Sequence, residues 1–142
     1  MINMRFRMNF RKSHVMSVMR REERRYLFRV GAFVRKTMMR LMPVRKRPSA
    51  VGRPPHSHTK RLKRSIRFAV EDAGVIVGPL RAWSKLRGSK PGPALLDQGG
   101  WATRRDKGAA AKPIRIRRRP FRGPALERSR PEFGKLWRGR SS

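Results

Sequence analysis

The sequence contains no cysteine. Disulfides and thiolate metal sites are therefore excluded, and the redox compartment is left undetermined. Acidic residues are scarce: 8 Asp and Glu stand against 39 Lys and Arg, a formal net charge of +31 at pH 7 over 142 residues. So large an imbalance makes the isolated chain repel itself and implies a polyanionic or acidic neighbour, either nucleic acid or an acidic protein surface. No apolar run is long enough to span a membrane. The first residues lack the continuous apolar core of a secretory signal. Residues 1–21 are Arg-rich and free of acids, as a mitochondrial transit peptide would be, but the periodic pattern continues past any plausible cleavage point.

Catalytic constellations are missing too. His56 and His58 form the one local histidine pair, in a Pro-rich stretch without nearby acids, so a solvated loop accounts for them better than a zinc site. Glu71 and Asp72 fall in an expected hairpin turn, and Glu22 and Glu23 near the start of an expected helix, where they suit its dipole. No Gly-rich phosphate loop and no Ser-His-acid set is present. The expectation is a protein that is not an enzyme and uses no cofactor or metal.

Length predicts a single domain over 1–142. With 37% hydrophobic and 33% charged residues, its core must be modest. Over 1–12, Met4, Phe6, Met8 and Phe10 alternate with polar residues, which fits an Arg-studded edge strand or a disordered arm. From Ser13 or Ser17 to Met42 the period becomes helical, with Met16, Met19, Leu27, Val30, Val34, Met38 and Leu41 on one stripe. Pro43 ends it. Gly31 and Ala32 would let another backbone approach closely. The stripe reads as core, although a basic amphipathic helix also fits a membrane surface or partner.

Residues 43–58, 79–93 and 101–113 read as extended loops, rich in Pro, Gly and basic residues. Thr59 is a suitable N-cap for a short helix carrying Leu62 and Ile66. A β-hairpin follows, with 67–70 and 75–77 as strands. Residues 94–98 suit a short helix stopped by Gly99 and Gly100. Ile114 and Ile116 alternate with Arg115 and Arg117 as in a half-buried strand, which Pro120 ends. Phe121 is a large apolar anchor, and Pro124 sits well in the first turn of a terminal helix. Ala125, Leu126, Phe133, Leu136 and Trp137 are candidates for its buried side, and Pro131 should kink or split it. Together these elements predict an α+β fold, with a long N-terminal helix packed on a small, mainly antiparallel sheet and a C-terminal helix.

Three segments carry a resemblance. An Arg119-Pro120-Phe121 corner precedes Pro124-Ala125-Leu126 at the start of a terminal helix. Upstream lie TKRLKRSI at 59–66, with its hairpin to VIVGP, and ALLDQGG at 94–100. In this order the segments resemble the neck or tail-completion proteins of long-tailed bacteriophages, the head–tail joining proteins. Asp97 stands where Glu is usual in that family. The Arg-rich N-terminal third is a further departure. The resemblance implies a homo-oligomeric ring of six or twelve copies in the virion neck. Such a ring joins head to tail beside a head-completion or connector ring and a tail-terminator or tail-tube protein. Asp97 is then expected to pair with an Arg of its own or a neighbouring subunit.

A ring crossed by DNA gives the positive charge a physical reason. Arg45, Lys46, Arg47, Arg104 and Arg105 lie in expected loops and are the candidates to face DNA or an acidic partner. Trp83 and Trp101 sit beside such charge, as a stacking platform would. The alternative is a small basic nucleic-acid-binding protein of ribosomal or nucleoid type, although no recognised nucleic-acid-binding motif accompanies the charge.

Overall fold

The computed structural model describes residues 12–72, 74–80, 92–104 and 112–138. The expected arm or strand at 1–11, Trp83, Arg105 and most of the second and third expected loops lie outside them. The elements are α1 (Lys12–Arg40), α2 (Arg61–Ser65), β1 (Ile66–Glu71), β2 (Gly74–Pro79), α3 (Gly92–Gln98), β3 (Gly100–Arg104), β4 (Lys112–Ile116), α4 (Arg122–Ser129), a 3-10 turn (Arg130–Glu132) and α5 (Phe133–Arg138). This is the expected α+β class, with the long helix packed on β-structure and a helical C-terminus.

α1 runs for 29 residues. Its C-terminal half carries the packing: Val30, Gly31, Val34 and Met38 are buried against β1, β2 and α4. The N-terminal half is uncovered, with Met16 and Met19 exposed, so only part of the predicted stripe is core. The helix stops at Arg40, short of Met42, because a residue before proline is disfavoured in helical geometry. Met42 is nevertheless fully buried just beyond the helix end. Since the helix begins at Lys12, Glu22 and Glu23 lie well inside it and not near its start, beyond the first turn where the dipole acts. Glu22 pairs instead with Arg25 at 2.6 Å, in the open.

At Gly31 the approach comes from side chains and not from a backbone. A Cβ there would sit 2.5 Å from Phe68 Cδ2 and 2.6 Å from Val75 Cγ2. The first hairpin lies against α1 at this point, and Phe28 meets Phe68 edge-to-face at 5.0 Å. Its strands pair from Ile66↔Pro79 to Glu71↔Gly74, so Pro79 closes β2 and does not open a loop.

Thr59 does not cap α2. It is exposed, and Lys60 holds the cap position with φ 59° and no side-chain bond. The chain enters the helix through that left-handed residue, one position later than expected. Ile66 leaves the helix and begins β1, fully buried.

The β-structure is two hairpins and not one sheet: β1 pairs with β2, and β3 with β4, both antiparallel. The first takes its cover from α1, while α3 lies beside the second. The expected loop at 101–113 is corrected at both ends. Trp101–Arg104 lies in β3, and Lys112 and Pro113 in β4, with Thr103 opposite Pro113. Pro is tolerated there because a two-stranded ribbon has only edge strands. Gly92 and Pro93 likewise belong to α3. β4 ends at Ile116, so Pro120 lies beyond it in an irregular link.

Pro131 splits the C-terminal helix through the 3-10 turn. Ala125 is fully buried, but Leu126 is 41% exposed and Trp137 58% exposed. Ser129, one turn after Ala125, takes the inward position and donates to the Ala125 carbonyl at 2.7 Å. Trp137 still meets Tyr26 of α1 edge-to-face at 4.8 Å. The main core is Met38, Met42, Leu62, Ile66, Phe121 and Ala125, drawn from three stretches of the chain.

Two substitutions test this packing. Phe121→Ala is expected to destabilise the protein by about 3–5 kcal/mol, as for a buried aromatic ring. An unchanged thermal melt would contradict its fully buried position. Gly31→Val is expected to cost about 1–3 kcal/mol by overpacking against Phe68 and Val75, and urea titration would read it.

Candidate functional site

The site is built where α3, the link after β4 and the start of α4 meet. α3 stops at Gly99, whose φ of +77° favours glycine and whose N–H donates to the Leu95 carbonyl at 2.7 Å. A side chain there would also crowd the backbone of Arg118, 3.2 Å from its nitrogen. Gly100 follows at φ +144°, with Leu95 packed where its Cβ would be. The two glycines thus let α3 turn back sharply with the 117–121 link running close beside it. The Leu96 carbonyl accepts the Arg119 N–H at 2.7 Å and ties the two together.

Asp97 projects from the last turn of α3 onto the start of α4. Oδ1 accepts the Phe121 N–H at 2.9 Å and the Arg122 N–H at 3.2 Å. Oδ2 accepts Arg122 Nε at 2.9 Å and lies 2.9 Å from Nη2. α4 has no capping side chain of its own, because Phe121 occupies the cap position. Asp97 supplies the missing acceptor from a different element. The Arg expected to pair with it is Arg122 of the same subunit. That choice depends on how the corner folds, so residue type alone could not single it out.

Burial of the Asp97 carboxyl opposes ionisation and is the largest single influence on it. The N–H groups of Phe121 and Arg122, with the hydrogen bond and charge of the Arg122 guanidinium, together outweigh it. The carboxyl is therefore held below its ordinary value. The arrangement is a clamp: charge-assisted hydrogen bonds to two backbone groups and one guanidinium, suited to fixing a corner.

The link also holds the first loop. Arg119 Nε donates to the Ser49 carbonyl at 3.1 Å, and Gly52 N–H to the Arg118 carbonyl at 3.0 Å. Ser57 N–H reaches back to the Pro43 carbonyl at 3.0 Å and closes the loop at its neck. The stretch 43–58 is therefore irregular but anchored, with Ser49, Pro55 and Ser57 buried. Arg45, Lys46 and Arg47 lie exposed along it.

Of the residues singled out in sequence, Leu62, Ile66, Phe121 and Ala125 share one core. Asp97, Gly99, Gly100, Arg119 and Pro120 surround the corner. Pro124 is half-buried in the first turn of α4, and Leu126 is exposed. Thr59 is apart from the core, and Arg104 ends β3 opposite Lys112. Among the described residues no group of three or more His, Cys, Asp or Glu could hold a metal ion, and no helix is long and apolar enough to cross a membrane.

The Asp97 clamp makes a pH-dependent prediction. A carboxyl held low in the folded state contributes stability that is complete above its unfolded value, about 3.9. That contribution is lost as pH falls through the lower folded value. Asp97→Asn is expected to cost about 1–2 kcal/mol at pH 7, with the difference from the parent shrinking on acidification below about pH 4. Urea titrations at both pH values would check this, and a constant difference would deny the charge its role.

Comparison of the chain with family models, with curated proteins and with solved structures finds no match.

Proposed function

We propose that this chain is a structural virion protein that forms a ring in the neck of a long-tailed phage. There it would join the DNA-filled head to the tail and line or enclose the DNA path. The observation that carries the reading is the meeting of the three resembling segments. Asp97 grips the Phe121–Arg122 corner, and Leu62 and Ile66 share a core with Phe121 and Ala125. Segments far apart in sequence thus form one unit, as a shared structural motif requires.

Two surface features support it. Exposed apolar side chains at Met16, Met19, Leu126 and Trp137 are candidates for ring contacts. A closed ring needs such faces in complementary, head-to-tail pairs. The exposed run Arg45–Arg47, on an anchored loop, suits sequence-blind contact with DNA phosphates or with an acidic face of the neighbouring ring. The same run favours the second reading, a small basic nucleic-acid-binding protein.

Labelling and deletion separate the two. In the neck reading, antibody against the chain decorates the head–tail junction of intact particles, and deletion leaves filled heads and free tails. Absence from particles, with co-sedimentation on ribosomes or nucleoids, would reject it. Replacing Arg45, Lys46 and Arg47 with Glu is expected to impair DNA retention if the loop faces the lumen. Loss of joining alone, with DNA kept in the heads, would assign the loop to protein docking.

A further inference from the structure

Between the 43–58 loop and the Arg119 link lies a pocket of about 270 Å³. Leu62, Leu96, Ser49, His56, Thr59 and Arg119 are among the residues that line it. Among the described residues no acidic one lines it. It is separate from the Asp97 clamp, and the capping of α4 does not use its side chains.

Two observations point to a ligand. Ser49 is 6% exposed, yet its Oγ has no hydrogen-bond partner among the described residues. Buried polar side chains are almost always partnered, so this hydroxyl calls for an explanation. Arg119 holds the Ser49 carbonyl; Oγ is closed to solvent in the rotamer present, and rotation about Cα–Cβ to another staggered well would turn it into the pocket. The second observation is Arg119. Its Nε and main-chain N–H are committed, but its remaining guanidinium N–H groups have no partner and no carboxylate faces them among the described residues. A half-buried cation is thus held rigidly at the pocket with donors to spare.

The donors come from three places: the loop (Ser49), the entry to α2 (Thr59) and the link (Arg119). Donors on separate elements around one pocket suit a tetrahedral anion, whose oxygens point in several directions. A planar carboxylate needs only the guanidinium fork. The surroundings favour a polymer over a free anion. The His56 ring, at the pocket, bonds through Nδ1 to the Arg47 carbonyl at 2.8 Å, which keeps the Arg45–Arg47 run beside it. Repeating cations next to a single seat match a chain of repeating negative charges.

We propose that this pocket seats one backbone phosphate of a nucleic acid. Arg119, Thr59 and the otherwise unpartnered Ser49 hydroxyl donate to its oxygens, and Arg45, Lys46 and Arg47 meet the phosphates on either side. The inference goes beyond the neck reading and does not rest on it, since it names a ligand group and not a particle.

The test uses the full chain with two probes, inorganic phosphate followed by amide chemical shifts, and mixed-sequence duplex DNA titrated with salt. Ser49→Ala removes a buried hydroxyl that bonds to nothing, so its melting temperature should not fall. It should weaken phosphate binding roughly tenfold, the loss of one hydrogen bond to a charged group. Arg119→Gln should reduce the log–log salt slope on DNA by about 0.9, one phosphate fewer. Phosphate-induced shifts at the amides of residues 49, 56 and 59, needing about tenfold more phosphate in Ser49→Ala and displaced by DNA, are the expected result. Parent-like behaviour of both variants would overturn the proposal. So would phosphate binding with DNA affinity and salt slope untouched, which describes a seat for free phosphate. Stronger displacement by polyglutamate than by DNA would assign the pocket to a protein carboxylate instead.

Discussion

The first N–H groups of α4 have no capping side chain nearby in sequence, and the carboxylate of Asp97 accepts two of them from across the fold. Much of the structure depends on that contact. It joins the end of α3 to the start of α4 and sets where Phe121 enters the core. The same link carries Arg118 and Arg119, whose bonds hold the 43–58 loop. A helix start left without acceptors costs stability, and a carboxylate answers it through both hydrogen bonding and the helix dipole.

The scarcity of acids sharpens this arrangement. In a chain of net charge +31 nearly every carboxylate has many cations to choose from. Glu22 and Glu132 take local partners three residues away, in exposed pairs that contribute little. Asp97, its side chain 13% exposed, reaches a partner distant in sequence, and the corner that presents its backbone N–H groups also presents Arg122. The remaining positive charge stays on the surface, where it opposes compactness until a polyanion or acidic partner neutralises it.

α1 shows how pattern and packing separate. Its apolar stripe continues from Met16 to Met38, but the hairpin and α4 cover only the second half. A small core cannot cover a helix of 29 residues, so the first half projects. The exposed methionines there are adaptable apolar side chains left uncovered among the described residues. Such a projecting face fits a subunit whose cover comes from outside.

The long helix, the first hairpin, the glycine stop after α3 and the split at Pro131 were legible from sequence, because periodicity, paired β-branched runs, glycine and proline act locally. Phe121 as an anchor was also legible as a residue type, whereas the pairing of Asp97 with an Arg was an expectation from the family resemblance. The second hairpin was hidden, since Gly, Pro and Lys around Trp101 and Pro113 speak for a loop until a partner strand is in register. The exposure of Leu126 and the burial of Ser129 were hidden too, because helical spacing does not say which face the core will take. Only the tertiary structure decided that Asp97 meets Arg122 and that the Ser49 hydroxyl lies buried beside Arg119 without a partner among the described residues. Those facts depend on groups brought together across 25 and 70 residues, and local pattern carries no record of which distant groups will meet.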